Sequence, residues 1–351
     1  MGYLLRCLKV RKIMEKIIHF IGIDMSKKTF DCCVIIDNQR SNTTHKQFSK
    51  TAMGLKGFQA WLMSFGVKLN EQTLICMEFT GLYNRMVLDF LTTSDAVVWV
   101  EMAVHIKKSL GLQRDKSDKL DAKRIALFAW RNKDEIKPWH SPDPDVQKIK
   151  DLLSQRDRLV DAKTRLLVPL KEMEQEGLVA GANELKKLQK PVITQLEKSI
   201  INIEKTIAQI INSNVELKKK SEIVKSIKGI GNVISWYLIA LTNGFKQISS
   251  GKSLACYCGV VPFSKTSGTS IKSKPRVSHI ANKKLKALMH LAAVCAVTHD
   301  KELKAYYDRK IAEGKHKMSV FNAVRNKLIL RVAAVLREDR KYEDNYVRKA
   351  A

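Results

Sequence analysis

The chain has 351 residues, of which 45% are hydrophobic and 28% charged; that is enough apolar material for two compact domains with a connector and excludes a disordered polymer. The 63 Lys and Arg against 35 Asp and Glu leave a formal net charge of +28, far more than solubility requires, so a polyanion is the expected partner, nucleic acid first. No apolar run reaches the length of a membrane span, and MGYLLRCLKVRKIMEK has neither the long apolar core nor the small-residue cleavage site of a signal peptide. A cytoplasmic protein is expected, with residues 1–16 a leader or disordered and Met14 an alternative start.

Strand-forming segments come first. IIHFIGIDM at 17–25 and FDCCVIID at 30–37, joined by the polar SKKT, are rich in β-branched residues and predict a hairpin, which a strand around His45–Ser49 extends. A helical pattern over 51–66, the apolar run TLICMEFT at 73–80, a helix over 82–91 and the run AVVWVEM at 96–102 follow. Three early strands and then alternating helix and strand give a mixed α/β sheet in the order used by RNase H-like nucleases. SDKLDAKRIALFAWR at 117–131 is helical, with Ser117 able to cap it. The three prolines of KPWHSPDPD at 137–145 break the chain, so one domain is expected over 17–145.

Four carboxylates in this domain stand where apolar residues or a helix start are expected. Asp24 ends an apolar strand and Glu78 interrupts LICMEFT, positions at which an unpaired carboxylate is costly unless solvated or metal-bound. Asp118 and Asp121 are three apart at a helix start and project from one face. Each has a plain alternative: a strand-end turn for Asp24, partial exposure for Glu78, a helix-dipole partner for Asp118. Together, two strands and a helix bring four hard oxygen donors that suit Mg²⁺, with room for two ions that stabilise the attacking and leaving oxygens of a phosphoryl displacement. Asp115 reads as a supporting charge.

Residues 146–220 predict two long helices. Ile193, Leu196, Ile200, Ile203, Ile207 and Ile210 recur at spacings of three and four, the seam of a coiled coil, so this connector is either a dimerising stalk or an ordinary intramolecular helix pair. The last part, 221–351, holds +16 of the net charge, and no Asp or Glu stands between Glu222 and Asp300. Such a surface is expected to find no salt bridges within itself and to bind phosphates in a salt-dependent way. Lys228-Gly229-Ile230-Gly231 reads as a helix-hairpin-helix turn whose N–H groups approach a phosphate, or as a plain αα-hairpin. Lys272, Lys274, Arg276, Lys283, Lys284 and Lys286 read as a phosphate-tracking surface, while Trp236, Tyr237 and Tyr257 read as core. The seven cysteines have no metal or disulfide spacing and are expected to be reduced core thiols.

FIGIDMSKKTFD, MEFTGLY and KSDKLDAKRIA resemble the Asp, Glu, Asp, Asp pattern of the RuvC-like domain in the insertion-sequence one-ten family of transposases. IKGIGNVISWYLIA, LACYCGVVPFSKTSGTS and VSHIANKKLKALMHLAA are similar to that family's second domain, so the resemblance spans nearly the whole chain. It implies a recombinase that excises and inserts a DNA element, selects its DNA with a structured bridge RNA, and works as a dimer that pairs into a tetramer. It also implies a mainly α C-terminal domain whose serine attacks DNA to form a covalent phosphoserine, assisted by the metal-bound carboxylates. Ser267 in TSG matches that serine, with Ser264 and Ser270 as neighbouring rivals. His279 and His290 are candidate bases only by distance along the chain. A Holliday-junction-type nuclease would need the four acids but not Ser267, and a non-catalytic nucleic-acid-binding protein would need neither.

Overall fold

The computed structural model describes residues 15–109, 111, 115, 117–246, 250–267 and 271–344, with backbone alone at 265–267 and 271–274. The chain divides after Ser141 into two compact units.

The first unit is built on a five-stranded sheet. Strands β1 (His19–Met25), β2 (Thr29–Ile35), β3 (Thr43–Ser49), β4 (Thr73–Glu78) and β5 (Val97–Glu101) lie in the order β3-β2-β1-β4-β5. The first three run antiparallel, and β4 and β5 join β1 in parallel. This mixed sheet is consistent with the RNase H-like expectation. Because side chains alternate along a strand, the sheet has two apolar faces. One packs Ile21, Ile23, Phe30, Ile75 and Met77 against helices α1 (Ala52–Met63) and α2 (Arg85–Leu91). The other packs Phe20, Cys33, Leu74, Cys76 and Trp99 against α3 (Ala103–Ser109) and α4 (Asp118–Arg131).

Helix α4 sits on β1 at backbone distance. A Cβ built on Gly22 would lie 2.2 Å from the Ala122 carbonyl oxygen and 2.2 Å from the Ala126 nitrogen, so only glycine fits. Ser117 caps the helix as expected, accepting from Leu120 N–H at 3.3 Å.

The second unit is mainly helical. α5 (Pro144–Gln175) and α6 (Val179–Ser213) form an antiparallel hairpin laced by Arg156–Glu204, Lys163–Glu197 and Lys186–Glu174 pairs. The heptad seam of α6 therefore packs on α5 of its own chain, and it is fully buried at Ile207, where the hairpin meets the core. A third helix, α7 (Val215–Lys225), begins inside the span 146–220 expected to hold two and runs past its end. Then come α8 (Asn232–Leu241), α9 (Gly251–Tyr257), α10 (Lys283–His299), α11 (Lys301–Ala312) and α12 (Lys317–Arg337) around one core. Within this mainly α unit, β6 (Pro262–Ser267) and β7 (Ile271–Val277) pair as an antiparallel two-stranded sheet, with Ser264 and Ser267 on β6. Its Lys, Ser and Thr content lacks the apolar alternation by which strands are recognised.

Six cysteines are described, and all are free. Cys32, Cys33, Cys76 and Cys258 are buried as expected, but Cys256 and Cys295 are exposed. Trp236 and Tyr237 are core residues, whereas Tyr257 is 38% exposed and takes a hydrogen bond from Asn282 on its hydroxyl. Among the described residues, no helix is long and apolar enough to cross a membrane.

Candidate active site

A row of acids crosses the α4 face of the sheet. Asp31 on β2 pairs directly with Asp24 on β1. The parallel register that sets Ile23 beside Met77 carries Asp24 to the level of Glu78, and Glu78 pairs with Glu101 on β5. The strand alternation that buries Phe20 and Gly22 under α4 turns Asp24 to the same side, and α4 supplies Asp118 and Asp121 from its first turn.

Hydrogen bonding divides these acids into two sets. At the ends of the row the carboxylates are saturated by the protein. Buried Asp31 accepts from His45 Nε2 and Gln47 Nε2, each at 2.8 Å. Buried Glu101 accepts from Met102 N–H at 2.8 Å and Trp99 Nε1 at 3.3 Å, and its Oε1 lies 2.9 Å from His105 Nδ1. In the middle, the side chains of Asp24, Glu78 and Asp118 have no hydrogen-bond or ion-pair partner among the described residues. Asp121 is held by Arg124 Nη1 at 2.7 Å, while Arg124 Nη2 donates to the Asp115 backbone carbonyl at 2.6 Å. Asp115 thus supports the site through its main chain.

Burial, and then the charges of Asp121, Asp118, Glu78 and Asp31 in that order, push the Asp24 carboxyl up to about 6. Desolvation and like-charge repulsion act together there, and a bound cation would relieve both. Four hard carboxylate donors suit a divalent ion. As the side chains are placed, though, no three His, Cys, Asp or Glu of the described residues converge closely enough to grip one.

Sequence inspection missed Asp31 and Glu101 as neighbours of the four chosen acids. The signal was present, since Asp31 also interrupts an apolar strand; the saturation of Asp31 by His45 and Gln47 depends on register, whereas the partners of Glu101 (Trp99, Met102 and His105) lie within four residues of it.

In the second unit Ser267 is the last residue of β6, and only its backbone is described. Ser264 lies within the same strand, and Ser270 lies outside the described residues. Lys272 and Lys274 belong to β7 with backbone alone, Arg276 near its end is exposed, and Lys283 and Lys286 open α10. The acid-free stretch is partly neutralised by carboxylates distant in sequence: Lys284 pairs with Asp157 at 2.7 Å, Lys228 with Asp344 at 2.6 Å and Lys246 with Glu216 at 3.7 Å. The expectation that it finds no internal partners fails because folding packs α5, α7 and residue 344 against it.

Gly229 has φ +93°, and a Cβ on it would meet the Ala292 carbonyl oxygen at 2.4 Å, so close packing on α10 requires the glycine. Gly231, at the start of α8, faces open space. His290 Nδ1 is engaged by Arg325 Nη2 at 3.0 Å.

Residues 21–174 match the family model for DEDD-type IS110 transposases, which gives the class: a transposase whose N-terminal part is a DEDD-type domain. Residues 221–308 match a second model, described as the IS116/IS110/IS902 transposase family. The chain belongs to the IS110 family of transposases. It is 27% identical over 332 residues to the pilin gene-inverting proteins of Moraxella bovis and Moraxella lacunata, covering 92% of this chain and 97% of each relative. Over 134 residues it is 30% identical to an uncharacterised insertion element IS110 protein of Streptomyces coelicolor, covering 38% of this chain and 33% of that one.

Proposed function

We propose that this transposase cuts and rejoins DNA with two sets of groups: the acids Asp24, Glu78, Asp118 and Asp121 as ligands for Mg²⁺, two ions in all, and Ser267 as the nucleophile. The observation that carries the reading is the division of the acid row, in which the protein satisfies Asp31 and Glu101 but leaves Asp24, Glu78 and Asp118 open. Asp24 and Glu78 are half-buried at strand ends, where an unpaired carboxylate is costly unless solvated or bound by a cation, and Asp118 stands exposed at the start of α4.

Bound there, Mg²⁺ supplies charge stabilisation to a phosphoryl group under attack. The Ser267 hydroxyl loses its proton and bonds to phosphorus; the bond from phosphorus to one strand's leaving oxygen breaks, and that oxygen takes up a proton. The resulting phosphoserine keeps the energy of the phosphodiester, so attack by another strand's hydroxyl rejoins DNA and restores the serine. Inversion of a DNA segment, which the names of the Moraxella relatives describe, needs the same cutting and rejoining. The exposed cations Arg276 and Lys283, with Lys286, and with Lys228, Gly229, Gly231, Lys272, Lys274 and Lys284 in the same unit, would follow the phosphate backbone, as in a helix-hairpin-helix protein. A bridge RNA and a homo-oligomer, dimer to tetramer, complete the reading on the family resemblance, with α5 and α6 as the coiled-coil connector.

The test is recombination in cells carrying the element with its flanking noncoding DNA, comparing the unmodified chain with Asp24→Ala and Ser267→Ala. Loss of joined products in both, and loss of a covalent protein–DNA species in Ser267→Ala, is the expected result. Recombination that survives Ser267→Ala assigns the nucleophile to Ser264 or Ser270, or the chain to a junction-cutting nuclease. Recombination that survives both removes the catalytic reading.

A further inference from the structure

The segment that follows Glu78 is built to be rigid and yet faces solvent with apolar side chains. Asn84, 1% exposed, closes it: its Oδ1 accepts from Thr80 N–H at 2.6 Å and Thr80 Oγ1 at 2.8 Å, and its Nδ2 donates to the Glu78 carbonyl at 2.9 Å. Phe79 N–H is tied to the Glu101 carbonyl at 2.8 Å, and Gly81 supplies the one left-handed turn, φ +68°. A fully buried amide with all these bonds is a strong local clamp. What it clamps is a surface of Phe79, Leu82 and Tyr83, exposed by 56%, 68% and 41%, continued by Met86 and by Met102 beside the end of β5.

Cations border this surface. Lys50 Nζ lies 4.9 Å from the Tyr83 ring centroid and 3.5 Å from the Ser26 carbonyl, and the backbone N–H of Lys50 donates to the Lys28 carbonyl. Lys27 and Lys28, both exposed, lie in the turn between β1 and β2, three and four residues after Asp24.

We infer that this clamped loop is a binding site for an unpaired nucleotide, with Tyr83 and Phe79 stacking on the base and Lys27, Lys28 and Lys50 holding the adjoining phosphates of the same strand. Three features select that ligand. Aromatic faces bind bases of any sequence, but only bases out of a duplex, because paired bases already stack on each other. Lysines at the edge match a phosphate backbone rather than an apolar protein face. The loop also begins at Glu78, so a base seated on it belongs to a strand whose phosphates pass the open acids. The inference rests on the proposed DNA chemistry for its biological setting, and its test requires no catalysis.

The probe is a short single-stranded oligonucleotide carrying one 2-aminopurine, as DNA and as RNA, titrated into the full chain alongside the same sequence as a duplex. Stacking quenches 2-aminopurine fluorescence. Phe79→Ser with Tyr83→Ala is expected to weaken single-strand binding about tenfold and abolish the quench, with the dependence on salt unchanged and duplex binding little affected. Tyr83→Phe restores both, which excludes misfolding as the cause. Lys27→Ala with Lys28→Ala is expected to lower the slope of log affinity against log salt by about 1–2. The DNA and RNA arms show which strand is preferred.

Unchanged single-strand affinity and quench in the double variant would overturn the inference. So would equal losses for duplex and single strand, or a change in oligomeric state without a change in binding, which would make the surface a protein-docking face. Loss of recombination in Asp24→Ala with normal 2-aminopurine binding in Phe79→Ser/Tyr83→Ala rejects the nucleotide site and leaves the catalytic reading standing; the reverse pattern rejects the catalytic reading alone.

Discussion

Gly22 of β1 and Ala126 of α4 touch main chain to main chain, so closely that a Cβ on Gly22 would stand 2.2 Å from the Ala126 nitrogen. This contact sets the height of α4 above the sheet and so carries Asp118 and Asp121 to the level of Asp24. Gly22→Ala must push the helix away, because backbone atoms cannot rotate aside as a side chain can. A loss of about 1–3 kcal/mol is expected, read as a lower thermal midpoint, together with loss of recombination. A variant that melts with the parent would show that α4 has slack.

Asp24 provides a pH test. Its folded carboxyl is raised from 3.8 to about 6 by burial first and then by its acidic neighbours. The native state therefore holds this proton more tightly than the unfolded chain, and the charge costs stability as pH rises from about 4 to about 6. In chelator, Asp24→Asn is expected to be more stable than the parent above pH 6, by on the order of 1–2 kcal/mol once solvent screening is allowed for. The gap should close below pH 4, and Mg²⁺ should narrow it at neutral pH by favouring the charged parent. Denaturant melts across pH measure it; a gap that widens on acidification contradicts the assignment.

Two kinds of acid in one row should respond differently to loss of charge. Asp31→Asn keeps one acceptor for His45 and Gln47, so it is expected to cost about 1 kcal/mol and to leave recombination measurable. Asp24→Asn should fold and be inactive. Equal inactivation by both would place Asp31 in the chemistry.

Arg331 spans the buried carboxylate of Asp300 and the exposed Glu302, each at 2.6 Å. Burial alone would raise the Asp300 carboxyl, but the Leu303 N–H and Arg331 hold it below its ordinary value. Its contribution to stability is thus present above pH 4 and lost as pH falls through the folded value. Arg331→Met strands the buried charge and is expected to cost about 3–5 kcal/mol at neutral pH. Adding Asp300→Asn should recover much of that, as chemical denaturation of the single and double variants would show.

The amino-acid sequence by itself determined the order of strands and helices in the first unit, because β1, β2, β4, β5 and α4 each carry a full local pattern: alternation or an apolar run in the strands, and a capped 3.6-residue period in the helix. It also marked Asp24, Glu78, Asp118 and Asp121, since a charge inside an apolar strand or paired at a helix start is conspicuous without coordinates. Only the tertiary structure decided which acids stay open. Asp31 looks like Asp24 in sequence, and its saturation by His45 and Gln47 follows from the β2–β3 register. The same holds for Lys228 and Lys284, whose partners Asp344 and Asp157 lie more than a hundred residues away, and for the β6–β7 hairpin, whose polar strands lack the alternation that would announce them. Local patterns are written along the chain, whereas the partner of a charge depends on which distant segment folding brings within hydrogen-bond reach.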